Sequence, residues 1–157
     1  MYTVRFQLEL SESEKRFLSK SFFYANQMHN QLVRYATNRL NALFHDTEYV
    51  DARKAYGKAE FSKKKGSEKK KQKELSNIMC IKQKEYNLTT TSLCKFVSKE
   101  QKKFKNYINS HQAQAEAEAV YKGVEKVLFE DGRHLHYRRY NSFDCIKQNV
   151  LQQECGF

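Results

Sequence analysis

Residues 109–143 read NSHQAQAEAEAVYKGVEKVLFEDGRHLHYRRYNSF. Two periods follow one another in this run. Ala113, Ala117, Val120, Tyr121, Val124, Val127 and Leu128 recur at three- and four-residue steps and share one face of a helix. Asn109 and Ser110 supply capping side chains ahead of it. Asp131-Gly132 ends it, with the glycine free to adopt a left-handed backbone. The period then falls to two. His134, His136 and Arg138 alternate with Leu135, Tyr137 and Arg139, which predicts a strand at about 133–140 with one basic side.

A lone strand is not stable, so this one requires a partner. The best candidate lies at the other end of the chain. Tyr2, Val4, Phe6, Leu8 and Leu10 alternate with Thr3, Arg5, Gln7 and Glu9, predicting a strand at about 2–10. Pairing these two strands gives the expected fold class: mainly α, as an α+β protein in which a long-helix bundle carries a small antiparallel sheet. Residues 1–10 and 133–157 would form a partial β module, and 11–131 a helical lobe.

The helices read as follows. Ser11 with Glu14 three residues on is a capping box. The stripe Leu18, Phe22, Ala25, His29, Leu32, Ala36, Leu40 and Leu43 extends the first helix to about His45. His29 lies in that stripe and reads as a buried, hydrogen-bonded core histidine. Tyr24, Asn26, Asn30 and Asn38 dot the flanks. Asparagine is unfavourable in mid-helix, so these are either ordinary surface polarity or contacts to RNA, DNA or a neighbouring loop. A break is expected at Thr47–Asp51, then a weak helix to about Ser62. A helix capped by Ser67 runs to about Tyr86, and Asn87-Leu88-Thr89 opens a short one with Leu93, Phe96 and Val97. Ser98 begins another, in which Phe104, Tyr107 and Ile108 pack while Lys99, Lys102, Lys103 and Lys105 face outward. The chain contains no proline and five glycines, which favours long helices over an all-β domain.

The net charge of +11 is concentrated. Residues 47–108 hold seventeen basic and seven acidic side chains, whereas 1–46 hold six and four and 109–157 hold six and seven. A localised basic excess is the footprint of a polyanion partner, bound through phosphate contact and counterion release. The densest part is KKKGSEKKKQK at 63–73, where Lys63, Lys64, Lys65, Lys69, Lys70 and Lys71 form two triplets around Gly66-Ser67. It reads as a phosphate-binding hairpin tip or as a mobile solvated loop. No run approaches the roughly 20 apolar residues of a membrane span, and the N-terminus lacks a signal-peptide core, so a cytoplasmic location is expected. Cys80, Cys94, Cys145 and Cys155 form no C-x-x-C pair and read as reduced thiols.

No catalytic constellation is evident. Glu116, Glu118, Glu125, Glu130 and Asp131 read as helix-surface carboxylates. His134-x-His136 places two imidazoles on one side of the predicted strand without a third ligand nearby, so no metal site is assigned. Contact with phosphate or bases by Arg133, His134, His136, Arg138 and Arg139 is the better reading. Tyr137 and Tyr140 stack on bases or, preferably, fill the packing side.

The run VYKGVEKVLFEDGRHLHYRRYNSFDCI also resembles the N-terminal part of TnpB-like transposon-encoded proteins, the RNA-guided nucleases related to type V CRISPR effectors. The residues carrying the resemblance are Val124, Val127, Leu128, Phe129, Gly132, Leu135, Tyr137, Arg138 and Ser142. It is sharp over about the last third of the chain. It implies that the two strands belong to a wedge-like β module and the helices to a recognition lobe. Together they would hold a structured guide RNA and touch double-stranded DNA beside a target. By position, Ser110, His111, Gln112 and Gln114 would face the DNA motif, where glutamine can read adenine edges. The family's acidic metal-binding residues lie downstream of the region matched here, so no catalytic residue or cofactor carries over. The tail DCIKQNVLQQECGF departs from the family pattern, and the 63–73 stretch is unusually lysine-rich. The expected function is therefore nucleic-acid binding without catalysis, in a prokaryotic cytosol or nucleoid. The rivals are a stand-alone basic helical DNA-binding regulator and a decayed transposase fragment without activity.

Overall fold

In the computed structural model, residues 9–60, 66–130 and 132–138 are described. Five α-helices and one 3-10 turn account for most of them: α1 Glu12–His45, α2 Thr47–Glu60, α3 Gly66–Glu85, α4 Thr90–Gln101, the 3-10 turn Lys102–Phe104, and α5 Ser110–Phe129.

At about 1.5 Å per residue, α1 is about 50 Å long and serves as the spine. Its start is fixed locally. The Ser11 side chain accepts from the Glu14 backbone N–H, and the Glu14 carboxylate accepts from the Ser11 N–H at 2.8 Å. Its buried face is Met28, His29, Leu32, Val33, Ala36, Leu40 and Leu43. α4 and α5 pack on this face and on each other. Tyr35 stacks on Phe96, and Tyr24 on Phe104, so α4 runs antiparallel to α1. Tyr107 lies against Phe17 and Tyr24, while Glu116 meets His29, so α5 runs back roughly parallel to α1. Leu93 and Val97 from α4 and Ala113, Ala117, Val120, Val124, Val127 and Leu128 from α5 complete the core. Small residues at 113 and 117 let α5 approach closely. Each fully buried leucine, such as Leu32 and Leu93, contributes about 1.5–3 kcal/mol of apolar burial.

The break expected at 47–51 lies instead at the single residue Asp46, and 47–51 is helical. Asp46 leaves helical geometry, and its carboxylate caps α2 by accepting from the Tyr49 N–H at 3.1 Å. The same carboxylate accepts from the Tyr86 hydroxyl at 3.1 Å and pairs with Lys82 at 3.2 Å. Lys82 also meets Glu48 at 2.7 Å. Asp46 therefore fixes the base of the α2–α3 hairpin to the end of α1. The Tyr49 N–H, ahead of Lys82 and Tyr86, holds the Asp46 carboxyl below its ordinary range, while hydrogen bonds to Glu48 and Asp46 push Lys82 up. Substituting Asp46→Ala should loosen the hairpin while leaving the α1–α4–α5 packing intact. Amide hydrogen exchange should quicken in α2 and α3 and stay slow in α5.

The small antiparallel sheet is not present: no strand occurs among the described residues. Most of the proposed partner at 2–10 lies outside them, while Glu9 and Leu10 have no regular structure. Of the 133–140 segment, residues 133–138 are described and none is a strand. This run lies along α5 and across α1. Leu135 is buried against Gly123, where an added Cβ would come within 3.0 Å of its Cδ2. Its terminal polar groups are satisfied by a side chain. The Arg138 N–H donates to Asn30 Oδ1 at 2.8 Å, and Asn30 Nδ2 donates to the Arg138 carbonyl at 2.9 Å. One asparagine on α1 thus replaces the reciprocal backbone pair that a neighbouring strand would offer. The period of two survives as one buried leucine between exposed neighbours. Tyr137, expected on a packing side, is 54% exposed.

The turn after α5 also departs from expectation. No described glycine has a positive φ. The Lys126 carbonyl accepts from both the Glu130 and the Gly132 N–H groups, at 3.0 and 3.2 Å. Gly132 lies so close over the helix end that an added Cβ would sit 2.8 Å from the Lys126 carbonyl and 2.9 Å from the Val127 nitrogen. Backbone atoms cannot rotate away. Gly132→Ala should therefore destabilise by about 1–3 kcal/mol and expose Leu135, measurable as a lower urea midpoint and faster proteolysis after Arg133.

Candidate nucleic-acid interface

The basic residues singled out in the sequence fall into separate groups. The first is at the junction of α4 and α5. Lys99, Lys102, Lys103 and Lys105 are all exposed, within seven residues of one another. Lys103 is partly neutralised by Glu100, at 2.6 Å, while no ion pair engages Lys99, Lys102 or Lys105 among the described residues. Beneath them, Phe104 and Tyr107 pack on Tyr24, with ring centroids 4.9 Å away in each case. Phe17, half exposed, lies 5.7 Å from Tyr107. The Gln101 side chain donates to the Ile108 carbonyl at 2.7 Å and holds the turn in shape.

This turn feeds directly into the N-terminus of α5, the positive end of its dipole. Ser110, His111, Gln112 and Gln114 are exposed there. Gln112 is committed to the cap: its Oε1 accepts from the Asn109 N–H at 3.0 Å, and its own N–H donates to Asn109 Oδ1 at 2.8 Å. The side chains of Ser110, His111 and Gln114 make no such bond among the described residues.

The second group is the lysine-rich segment. Lys63, Lys64 and Lys65 lie outside the described residues. Gly66–Lys73 forms the first turns of α3, with Lys70, Lys71 and Lys73 exposed and the Lys69 side chain outside the description. This end of the hairpin is twelve residues from Lys82, about 18 Å along the helix, and Lys82 is itself at the far end of α1 from the lysines of the first group.

The third group is divided. Arg133, His134 and His136 are exposed, and the two imidazole rings meet edge to face at 4.7 Å. Arg139 lies outside the described residues. Arg138 is occupied internally. Its guanidinium donates to Glu116 Oε1 at 2.5 Å, and the other carboxylate oxygen lies 2.8 Å from His29 Nδ1. His29 is thus the buried, hydrogen-bonded histidine that the helical stripe indicates. Glu116, expected on the helix surface, is instead a half-buried hub joining α1, α5 and the 132–138 segment. Burial pushes its carboxyl up, but hydrogen bonds from His29 and Arg138 outweigh this and leave it below the ordinary range.

No family model, curated protein or solved structure matches the chain.

A further feature involves only two residues singled out in the sequence, Asn38 and Phe96. A cleft of about 270 Å³ opens between α1 and α4, lined by Gln31, Arg34, Tyr35, Asn38, Phe96 and Glu100. Positions 31, 34, 35 and 38 follow helical spacing along one flank of α1. That stripe, with a mid-helix asparagine in it, is the signal in the sequence. Its significance depends on α4 supplying Phe96 and Glu100 opposite. No group of three or more metal-ligating side chains occurs among the described residues, and no helix among them is long and apolar enough to cross a membrane.

Proposed function

We propose that this chain binds structured nucleic acid, with phosphates meeting Lys99, Lys102 and Lys105 and the N-terminal end of α5. The observation that carries the reading is the coincidence of three lysines without an ion-pair partner among the described residues, a helix N-terminus and the half-exposed Phe17 ring at one end of the bundle. Lysines and helix ends suit a polyphosphate backbone, and an exposed aromatic suits an unstacked base. A solvated lysine surface would not require rings packed beneath it.

Within this reading RNA is the preferred partner, held in the manner of the guide-binding region of TnpB-like proteins, with duplex DNA as a second ligand. That affiliation rests on the sequence resemblance alone. The chain binds rather than cuts, in a cytosolic setting. The test is binding of the purified chain to a hairpin RNA, a duplex DNA and a single-stranded DNA over a salt series. Preference for the hairpin, with log K falling steeply against log salt, supports the proposal. Preference for duplex DNA would favour a helical regulator reading a groove through α5. Weak and equal binding to all three would remove nucleic acid from the account.

A further inference from the structure

We propose that the α1–α4 cleft receives one unpaired guanine from the bound RNA; this rests on the nucleic-acid reading above and names the base that it holds. The floor is aromatic. Tyr35 and Phe96 stack at 4.3 Å with planes 19° apart, and the Arg39 guanidinium lies 5.2 Å from the Tyr35 ring centre. With Phe96 on one side and Arg39 over the ring, Tyr35 is sandwiched. Phe96 itself lines the cleft and offers its partly exposed ring surface to a further planar group. The cleft volume of about 270 Å³ is below the usual range for drug-sized ligands and suits a single base.

The polar groups of the wall select among bases. Glu100 is the one carboxylate lining the cleft. One of its oxygens accepts from Lys103 at 2.6 Å, and the other has no donor among the described residues. An ionised carboxylate only accepts, so it favours a base edge carrying adjacent donors. Guanine offers N1–H and the N2 amino group side by side. Adenine and cytosine place a ring-nitrogen lone pair beside their amino group, and uracil flanks its single N–H with two carbonyls. Guanine's O6 and N7 acceptors then require donors, which Arg34, Gln31 and Asn38 supply. Arg34 is exposed and has no ion-pair partner among the described residues.

The experiment uses hairpin RNAs with one stem and a single unpaired loop nucleotide set to G, A, C or U, bound by the whole chain and by the Glu100→Gln and Phe96→Leu variants. Circular dichroism checks that the variants fold. The wild type should prefer the G loop by about tenfold. Glu100→Gln should abolish that preference while binding the A, C and U loops as before, since the Lys103 partner it loses is 62% exposed and solvent screens the pair. Phe96→Leu should weaken all four loops by roughly fivefold or more, because stacking tolerates any base. Salt-dependent binding with equal affinity for the four loops, unchanged in Glu100→Gln, would overturn the cleft assignment and leave the phosphate-binding reading standing. Absence of binding to every hairpin would overturn both.

Discussion

Replacing Lys99, Lys102 and Lys105 together by glutamine should cut hairpin RNA affinity by at least about tenfold at 0.1 M salt. It should also flatten the slope of log K against log salt by about 2 to 3, because each phosphate contact contributes about 0.7–0.9 to that slope. The three side chains are exposed and have no carboxylate partner among the described residues, so their removal should leave the fold unchanged. Lys103 is deliberately kept, since Glu100 already offsets part of its charge. The control is an equal loss of charge elsewhere: Lys54, Lys58 and Lys84, exposed on the α2–α3 hairpin, changed to glutamine. A site-specific interface predicts that the control triple binds nearly as well as the wild type. Equal losses in both triples would mean that the +11 charge acts diffusely. The lysines at 99–105 would then have no special place in binding.

The second large effect is expected at Glu116. Its carboxylate joins three parts of the chain, and Glu116→Ala leaves His29 without its partner and Arg138 without its counter-ion. The His29 arm is the valuable one: both side chains are largely buried, and hydrogen bonds to charged groups contribute about 1.5–3 kcal/mol. The Arg138 arm is 41% exposed and adds little after screening. A loss of about 2 kcal/mol is expected, or roughly 4–8 °C in Tm for a chain of this size. Residues 132–138 should also become accessible to protease. The pH dependence has a defined sign. Glu116 has a folded pKa below its unfolded value, so its contribution is full above the ordinary glutamate range, near 4.3. It is lost as pH falls through the lower folded value. The wild type should therefore lose stability below about pH 4 more steeply than Glu116→Ala. Parallel acid-unfolding curves for the two proteins would show that the hub contributes nothing.

Most helices were legible in sequence because their determinants are local, but the separate helix expected from Ser98 is not formed: Ser98 lies inside α4, and a 3-10 turn, Lys102–Phe104, follows Gln101. The Ser11–Glu14 and Asn109–Gln112 caps span three residues, and the apolar stripes of α1 and α5 repeat within single turns. The burial of His29 and the outward lysines at 99–105 follow from the same periodicity. The expected sheet rested on an equally local pattern, the alternation at 133–139, but a strand is defined by its partner. Here the described run docks on Gly123 and on the Asn30 side chain, 108 residues away. Nothing in the alternation specifies whether a backbone or an asparagine will satisfy Arg138. Glu116 presents the same difficulty: among the carboxylates of α5 it is the one that α1 meets, through His29. Likewise Gln31, Arg34, Tyr35 and Asn38 are only a polar flank until Phe96 and Glu100 close the cleft. Sequence alone determined which segments are helical and which of their faces are apolar, because helix formation depends on neighbours three and four residues apart. Tertiary packing decided what covers those faces and which charges are spent inside the fold, because such contacts depend on groups brought together from distant parts of the chain.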